Sequence, residues 1–235
     1  WSFDLTEDNK QKSIKALKLA AKAGEVIFRL GLTPDKEQPV VIDGLLDGDY
    51  TGTYNGKGLL SGGRLHAMRW QEAFFCAAIV RDKEAMDSLL KFPVSLMRKC
   101  SSTNAESEYL FTELIQSVYL NEPSEQFEQK LVKVLKCAAE EEEDPWVLYC
   151  TGAKLNFIMA AYMTNNETTP TQSMSNALTQ YWDYHERHTD HGYQQPDFYM
   201  PIALLGLACL AKDNGEQVDV RSDFIPQFYI DGDYL

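Results

Sequence analysis

The stretch Trp70-Gln71-Glu72-Ala73-Phe74-Phe75-Cys76-Ala77-Ala78-Ile79-Val80-Arg81-Asp82 decides the fold class. With Leu65 and Met68 ahead of it, Phe75 and Ile79 continue an apolar face at helical spacing. Trp70, Ala73 and Phe74 widen that face until little polar circumference is left. A helix apolar over most of its surface lies inside a larger body rather than on one. Asp82 stands where an N-cap is needed for a further helix through Leu90, and Pro93 ends it.

Helical periodicity also dominates on either side. Thr6 is a candidate N-cap for a helix over 6–30, with Asp4, Glu7 and Asp8 at its positive end. Ile14, Leu17, Ala21, Ile27 and Leu30 line one face, and lysines occupy the other. Residues 31–62 break the pattern, being rich in Gly, Asp and Pro. They read as one long loop with extended pieces at Pro39-Val40-Val41-Ile42 and Tyr50-Thr51-Gly52-Thr53-Tyr54, room for a small hairpin; a loop this long in a compact domain is functional or hides an element.

Beyond Pro93, Glu106–Leu120 and residues 124–139 carry apolar side chains at helical spacing. Asp144-Pro145 is an acidic cap followed by proline at the first helical position. That helix runs toward Met163, with Gly152 a potential break. Another spans about 171–189, and a last strong one follows Pro201 and stops at Asp213-Asn214-Gly215. An acidic and aromatic tail, Asp223 to Tyr229, closes the chain. The expected fold is all-α: a single domain over 1–235 of seven or eight mostly antiparallel helices, without a fixed repeat.

Among 235 residues, 22 are Lys or Arg and 35 Asp or Glu, a formal net charge of −13. So much acid repels phosphate backbones and anionic lipid, so nucleic acid and membrane surfaces are not the expected partners. A hydrophobic fraction of 44% is that of a folded chain. No apolar run approaches the roughly 20 residues of a membrane span. Trp1 to Asp8 offers neither a basic nor an apolar signal segment. The five scattered cysteines, Cys76, Cys100, Cys137, Cys150 and Cys209, form no C-x-x-C pair, and buried reduced thiols explain them best. The cytoplasm is the expected compartment.

Phosphate loops, dinucleotide fingerprints, nucleophile elbows and zinc-protease motifs are missing from the sequence. The densest polar constellation is Asp183-Tyr184-His185-Glu186-Arg187-His188-Thr189-Asp190-His191. On a helix His185 and His188 are neighbours and could share a metal with Asp190 or an acid elsewhere, although histidines at a helix C-terminus also suit its dipole. Glu140, Glu141, Glu142, Glu143 and Asp144 form a run of five like charges between two helices. It reads either as a solvated linker that partly caps the next helix or as a docking patch for a basic partner. In the loop, Asp43, Asp47 and Asp49 lack the order and closing glutamate of a calcium loop. With Tyr50 and Tyr54 they suit either protein binding, since tyrosine offers large contact area at low entropic cost, or packing of the loop over the helices. Asn166-Glu167-Thr168 matches a glycosylation acceptor, without consequence in a cytoplasmic chain.

The segment from Trp70 through Asp82, then Met86-Asp87-Ser88-Leu89-Leu90 and Phe92-Pro93-Val94-Ser95-Leu96-Met97-Arg98, resembles the middle of the immunity protein 49 family of bacterial polymorphic-toxin systems. There a helix ends in Arg-Asp, a short helix follows, and a Pro-Val-x-Leu-x-Arg stretch comes next. Pro201 through Asp213 and Val218-Asp219-Val220-Arg221-Ser222-Asp223-Phe224-Ile225-Pro226 are similar too, so the resemblance runs from about residue 10 to 230. It implies an all-α, non-enzymatic antitoxin that binds a cognate toxin domain, with no catalytic residues and no cofactor. The alternatives are a helical adaptor for a peptide or protein partner and a metal-dependent hydrolase using His185 and His188. Oligomeric state is open.

Overall fold

The computed structural model describes residues 6–45, 48–102, 104–163, 166–188, 200–222 and 224–234. The chain is mostly helical and packs as two compact units, residues 4–104 and residues 105–235. Ten α-helices are present among the described residues, more than the seven or eight expected. The excess comes from short turns of helix whose few residues carry no readable period.

In the first unit, α1 (Glu7–Leu32) begins at Thr6, whose hydroxyl accepts from the backbone N–H of Asn9 at 3.3 Å. Its Ile14, Leu17, Ala21 and Phe28 are buried with Trp70, Phe74 and Ala77 of α2 (Ala67–Ile79). Gly24 permits this approach: a methyl group there would lie 2.3 Å from the Ala73 Cβ. Gly24→Ala in an open helix would stabilise by up to about 1 kcal/mol. Here it must push two helices apart, and a net loss of about 1–3 kcal/mol is expected in urea unfolding. A gain in stability would mean that α1 and α2 can separate freely.

The α2 helix closes on Arg81 in the left-handed region (φ 53°). Asp82 then caps α3 (Lys83–Leu90), accepting from the Ala85 N–H at 2.9 Å. A turn of helix, α4 (Val94–Met97), follows Pro93. Phe92 is fully buried edge-on against Phe28, with centroids 5.0 Å apart.

The 31–62 segment is not loop throughout, and its two extended pieces pair as the small hairpin for which they leave room. It holds an antiparallel hairpin, β1 (Gln38–Leu45) paired with β2 (Gly48–Tyr54), Val40 opposite Gly52 and Ile42 opposite Tyr50. Its reason is burial: Val40 and Ile42 join Val26 and Leu30 of α1 in a small apolar cluster, with Leu19, Ala23 and Leu59 against it. A hairpin this small is marginal alone and holds because one strand lies on the helix.

In the second unit, α5 (Glu106–Tyr119) is buried on most of its circumference and packs on α6 (Ser124–Glu140) through Leu131 and Val134. The Asp144-Pro145 signal holds, since the Asp144 Oδ1 accepts from the Trp146 N–H at 2.9 Å. Only Pro145 and Trp146 of its first turn are α-helical, however. Val147–Thr151 is a π-helical turn that runs unbroken through Gly152 into α7 (Gly152–Tyr162). Then come α8 (Pro170–His188), α9 (Ile202–Asp213) and α10 (Gln227–Asp231). The last corrects the expected open tail: Tyr229 and Ile230 are buried, and α10 packs on α9.

Candidate functional site

The π-helical turn has an identifiable cause. Trp146 and Thr151 stand five residues apart, about 140° around an α-helix. Both donate to one oxygen, Glu108 Oε1 on α5, from Trp146 Nε1 at 3.1 Å and Thr151 Oγ1 at 2.6 Å. The wider π turn brings them to the same side. Lys154 Nζ lies 3.3 Å from both carboxylate oxygens and 4.4 Å from the centroid of the Phe111 ring. Glu108 and Lys154 are 1% and 4% exposed, so this ion pair is closed to large partners and organises the unit instead.

The acidic run 140–144 splits into two roles. Ala105, ahead of α5, offers no capping side chain. Glu141 supplies the cap from across the unit, accepting from the N–H groups of Glu106 at 2.9 Å and Ser107 at 3.2 Å. Its charge therefore sits at the positive end of α5. Asp144 faces water while holding the Trp146 N–H. Glu140, Glu142 and Glu143 are exposed. The local field is strongly negative: burial first, then Glu141, Glu106 and Glu140, push the Cys137 thiol up to about 11. All five cysteines are free thiols, and four of them are buried.

Acid is divided unequally between the units. Of 22 basic and 35 acidic residues, 15 and 13 lie in 4–104, and 7 and 22 in 105–235. The whole net charge of −13 thus belongs to the second unit, and the first is slightly positive. The acids at 43–49 therefore lie in a unit with no net excess of acid, a division that counting along the chain makes visible.

The aromatic site of the 43–54 segment is formed by the hairpin. Tyr50, Gly52 and Tyr54 share one face of β2 by strand alternation. With no side chain at Gly52, the two rings close over it and stack with centroids 5.9 Å apart, about 40% exposed, and their hydroxyls are in contact. The hydrogen bond to Tyr54 raises the Tyr50 phenol above its ordinary value. Asp49 is turned inward to the hairpin, its Oδ1 accepting from the Gly44 N–H at 3.1 Å. Asp47 lies outside the described residues.

His185 is buried on α8, its ring 4.5 Å from the Tyr181 ring and 5.2 Å from that of Tyr184. The His188 side chain and Asp190 lie outside the described residues. Among the described residues no group of three or more His, Cys, Asp and Glu is placed to hold a metal, and no helix is long and apolar enough to cross a membrane.

The chain is thus a mostly helical protein of two compact units, with its Glu108–Lys154 ion pair buried and with Glu140, Glu142, Glu143, Tyr50 and Tyr54 exposed. More particularly, the Immunity protein 49 family matches residues 4–229, and the chain belongs to that family. The match runs through both compact units. Comparison with curated proteins and with solved structures found no match.

Proposed function

We propose that the chain is a non-enzymatic immunity protein that binds and neutralises a cognate bacterial toxin through an acidic surface, both units acting together as one functional domain in the cytoplasm. The observation that carries this reading is the family match over 4–229. The charge division supports the finer part. A unit with 22 acidic and 7 basic residues complements a basic cleft such as a nuclease presents to nucleic acid. Such complementarity speeds encounter and excludes wrong partners more than it lengthens the life of the complex.

The test is co-purification with the toxin domain encoded by the neighbouring reading frame and rescue of cells from it. Loss of both would overturn the reading. Because Glu141 caps α5, the charges available to a partner in the acidic run are those of Glu140, Glu142 and Glu143, with Asp144 beside them. Replacing those three glutamates together by Gln should slow association about tenfold at low ionic strength, an effect that fades at high salt. Glu141→Gln instead should lower stability by about 1 kcal/mol, as a weakened cap does. Unchanged association kinetics of the triple variant at low salt would place the electrostatic contact elsewhere.

A further inference from the structure

Among the described residues the hairpin is the one sheet, and its two strands leave two outer edges. Proteins ordinarily blunt such edges with proline, cations or covering groups. The β1 edge is blunted. Pro39 has no N–H to offer, and its carbonyl accepts from Arg29 Nη2 at 3.5 Å. Pro39 therefore turns its backbone polar groups away from β2. Its cross-strand partner Thr53 must turn away from β1 as well, and so must Thr51, opposite Val41 and two residues along. The N–H and C=O groups of Thr51 and Thr53 thus face the open side of β2. Among the described residues no main-chain hydrogen bond outside the ladder reaches either. The strand Gly48-Asp49-Tyr50-Thr51-Gly52-Thr53-Tyr54 has no proline and no cation to guard it, and its threonines and tyrosines favour pairing.

We propose that this open edge of β2 is a strand-pairing surface on which an extended, lysine- or arginine-bearing segment of the cognate toxin docks as a third strand. The proposal rests on the immunity reading above and deepens it. Charge selects the occupant. Residues 37–56 contain Glu37, Asp43, Asp47 and Asp49 and no basic residue. A second copy of this hairpin would bring like charges together, whereas a cationic strand would meet opposite ones. An added strand also sets alternate side chains beside Tyr50 and Tyr54, whose partly exposed ring faces attract cations. Acid within the hairpin segment steers the encounter, and main-chain pairing on β2 holds the product.

Amide hydrogen exchange of the full chain, with and without the toxin domain from the neighbouring reading frame, tests this directly. Exchange at Thr51 and Thr53 should slow at least tenfold in the complex. In parallel, Thr53→Pro removes the outward N–H while leaving the bonds to β1, and should speed dissociation about tenfold. Thr53→Ala keeps the N–H and should stay within twofold of the parent. A complex that forms with unchanged exchange at both amides overturns the proposal and leaves the immunity reading intact. So does parental dissociation of Thr53→Pro with its hairpin still ordered. If that variant loses its hairpin, exchange on the unaltered chain decides. Protection that grows with protein concentration in the absence of toxin would assign the edge to a second copy instead. If no complex forms at all, the immunity reading itself fails.

Discussion

Lys154→Met is expected to lower stability by about 3–5 kcal/mol, the usual result of removing one partner from a buried ion pair. The substitution keeps a long unbranched side chain over Phe111, so packing changes little, but Glu108 then holds a charge at 1% exposure without its cation. Donors from Trp146 and Thr151 remain and do not replace it. In urea unfolding followed by far-UV circular dichroism the midpoint should fall on the order of 1–2 M, given slopes of about 2–3 kcal/mol per molar. Adding Glu108→Gln should recover part of the loss, because no bare charge is then buried. The two changes should couple by about 1–3 kcal/mol in a double-mutant cycle. Additive losses would mean that the two charges do not stabilise each other in the folded unit.

Trp70→Ala should destabilise the first unit by a similar amount, about 3–5 kcal/mol, through the cavity it leaves. Trp70 is fully buried, stacked on Phe74 with centroids 4.7 Å apart, and its Nε1 donates to the Leu89 carbonyl of α3 at 2.9 Å. That carbonyl also accepts from the Phe92 N–H at 3.0 Å, so losing the indole does not orphan it. Trp70→Phe, which keeps most of the volume and drops the bond, should therefore cost far less than the alanine. Equal losses for Ala and Phe would assign the stability to the hydrogen bond rather than to packing.

Much of the fold is legible along the chain because its causes are local. Thr6 and Asp82 cap helices with donors three residues ahead of them, and Pro201 and Asn214-Gly215 bound α9 by steric rules within a turn. The hairpin is harder to read, since Val40-Val41-Ile42 is continuously apolar where a half-buried strand alternates. Val41 is exposed while its neighbours are covered by α1, which no spacing rule foretells. The short helices α4 and α10 span about one turn, too little for a period. The candidate site is divided in the same way. Tyr50, Tyr54 and the acidic run are visible as residue types. Glu141 acts on Glu106 and Ser107, 35 and 34 positions earlier, and nothing within the run distinguishes it from Glu140 or Glu142. What Thr51 and Thr53 offer at the strand edge is backbone, which no residue type in the sequence marks. Only the isolated Pro39 hinted at which strand edge was closed.

The sequence by itself determined a mostly helical chain, the approximate ends of its longer helices, its family likeness and its excess of acid. These depend on side-chain period, capping chemistry within a turn, and counting. The tertiary structure alone decided that β1 is covered while the edge of β2 stays open. It also decided that Glu141 is a cap rather than a free charge, and that Glu108 and Lys154 neutralise each other out of water. Each of these depends on which backbone donors and charges meet across tens of residues, and the chain brings such groups together only when its apolar faces close.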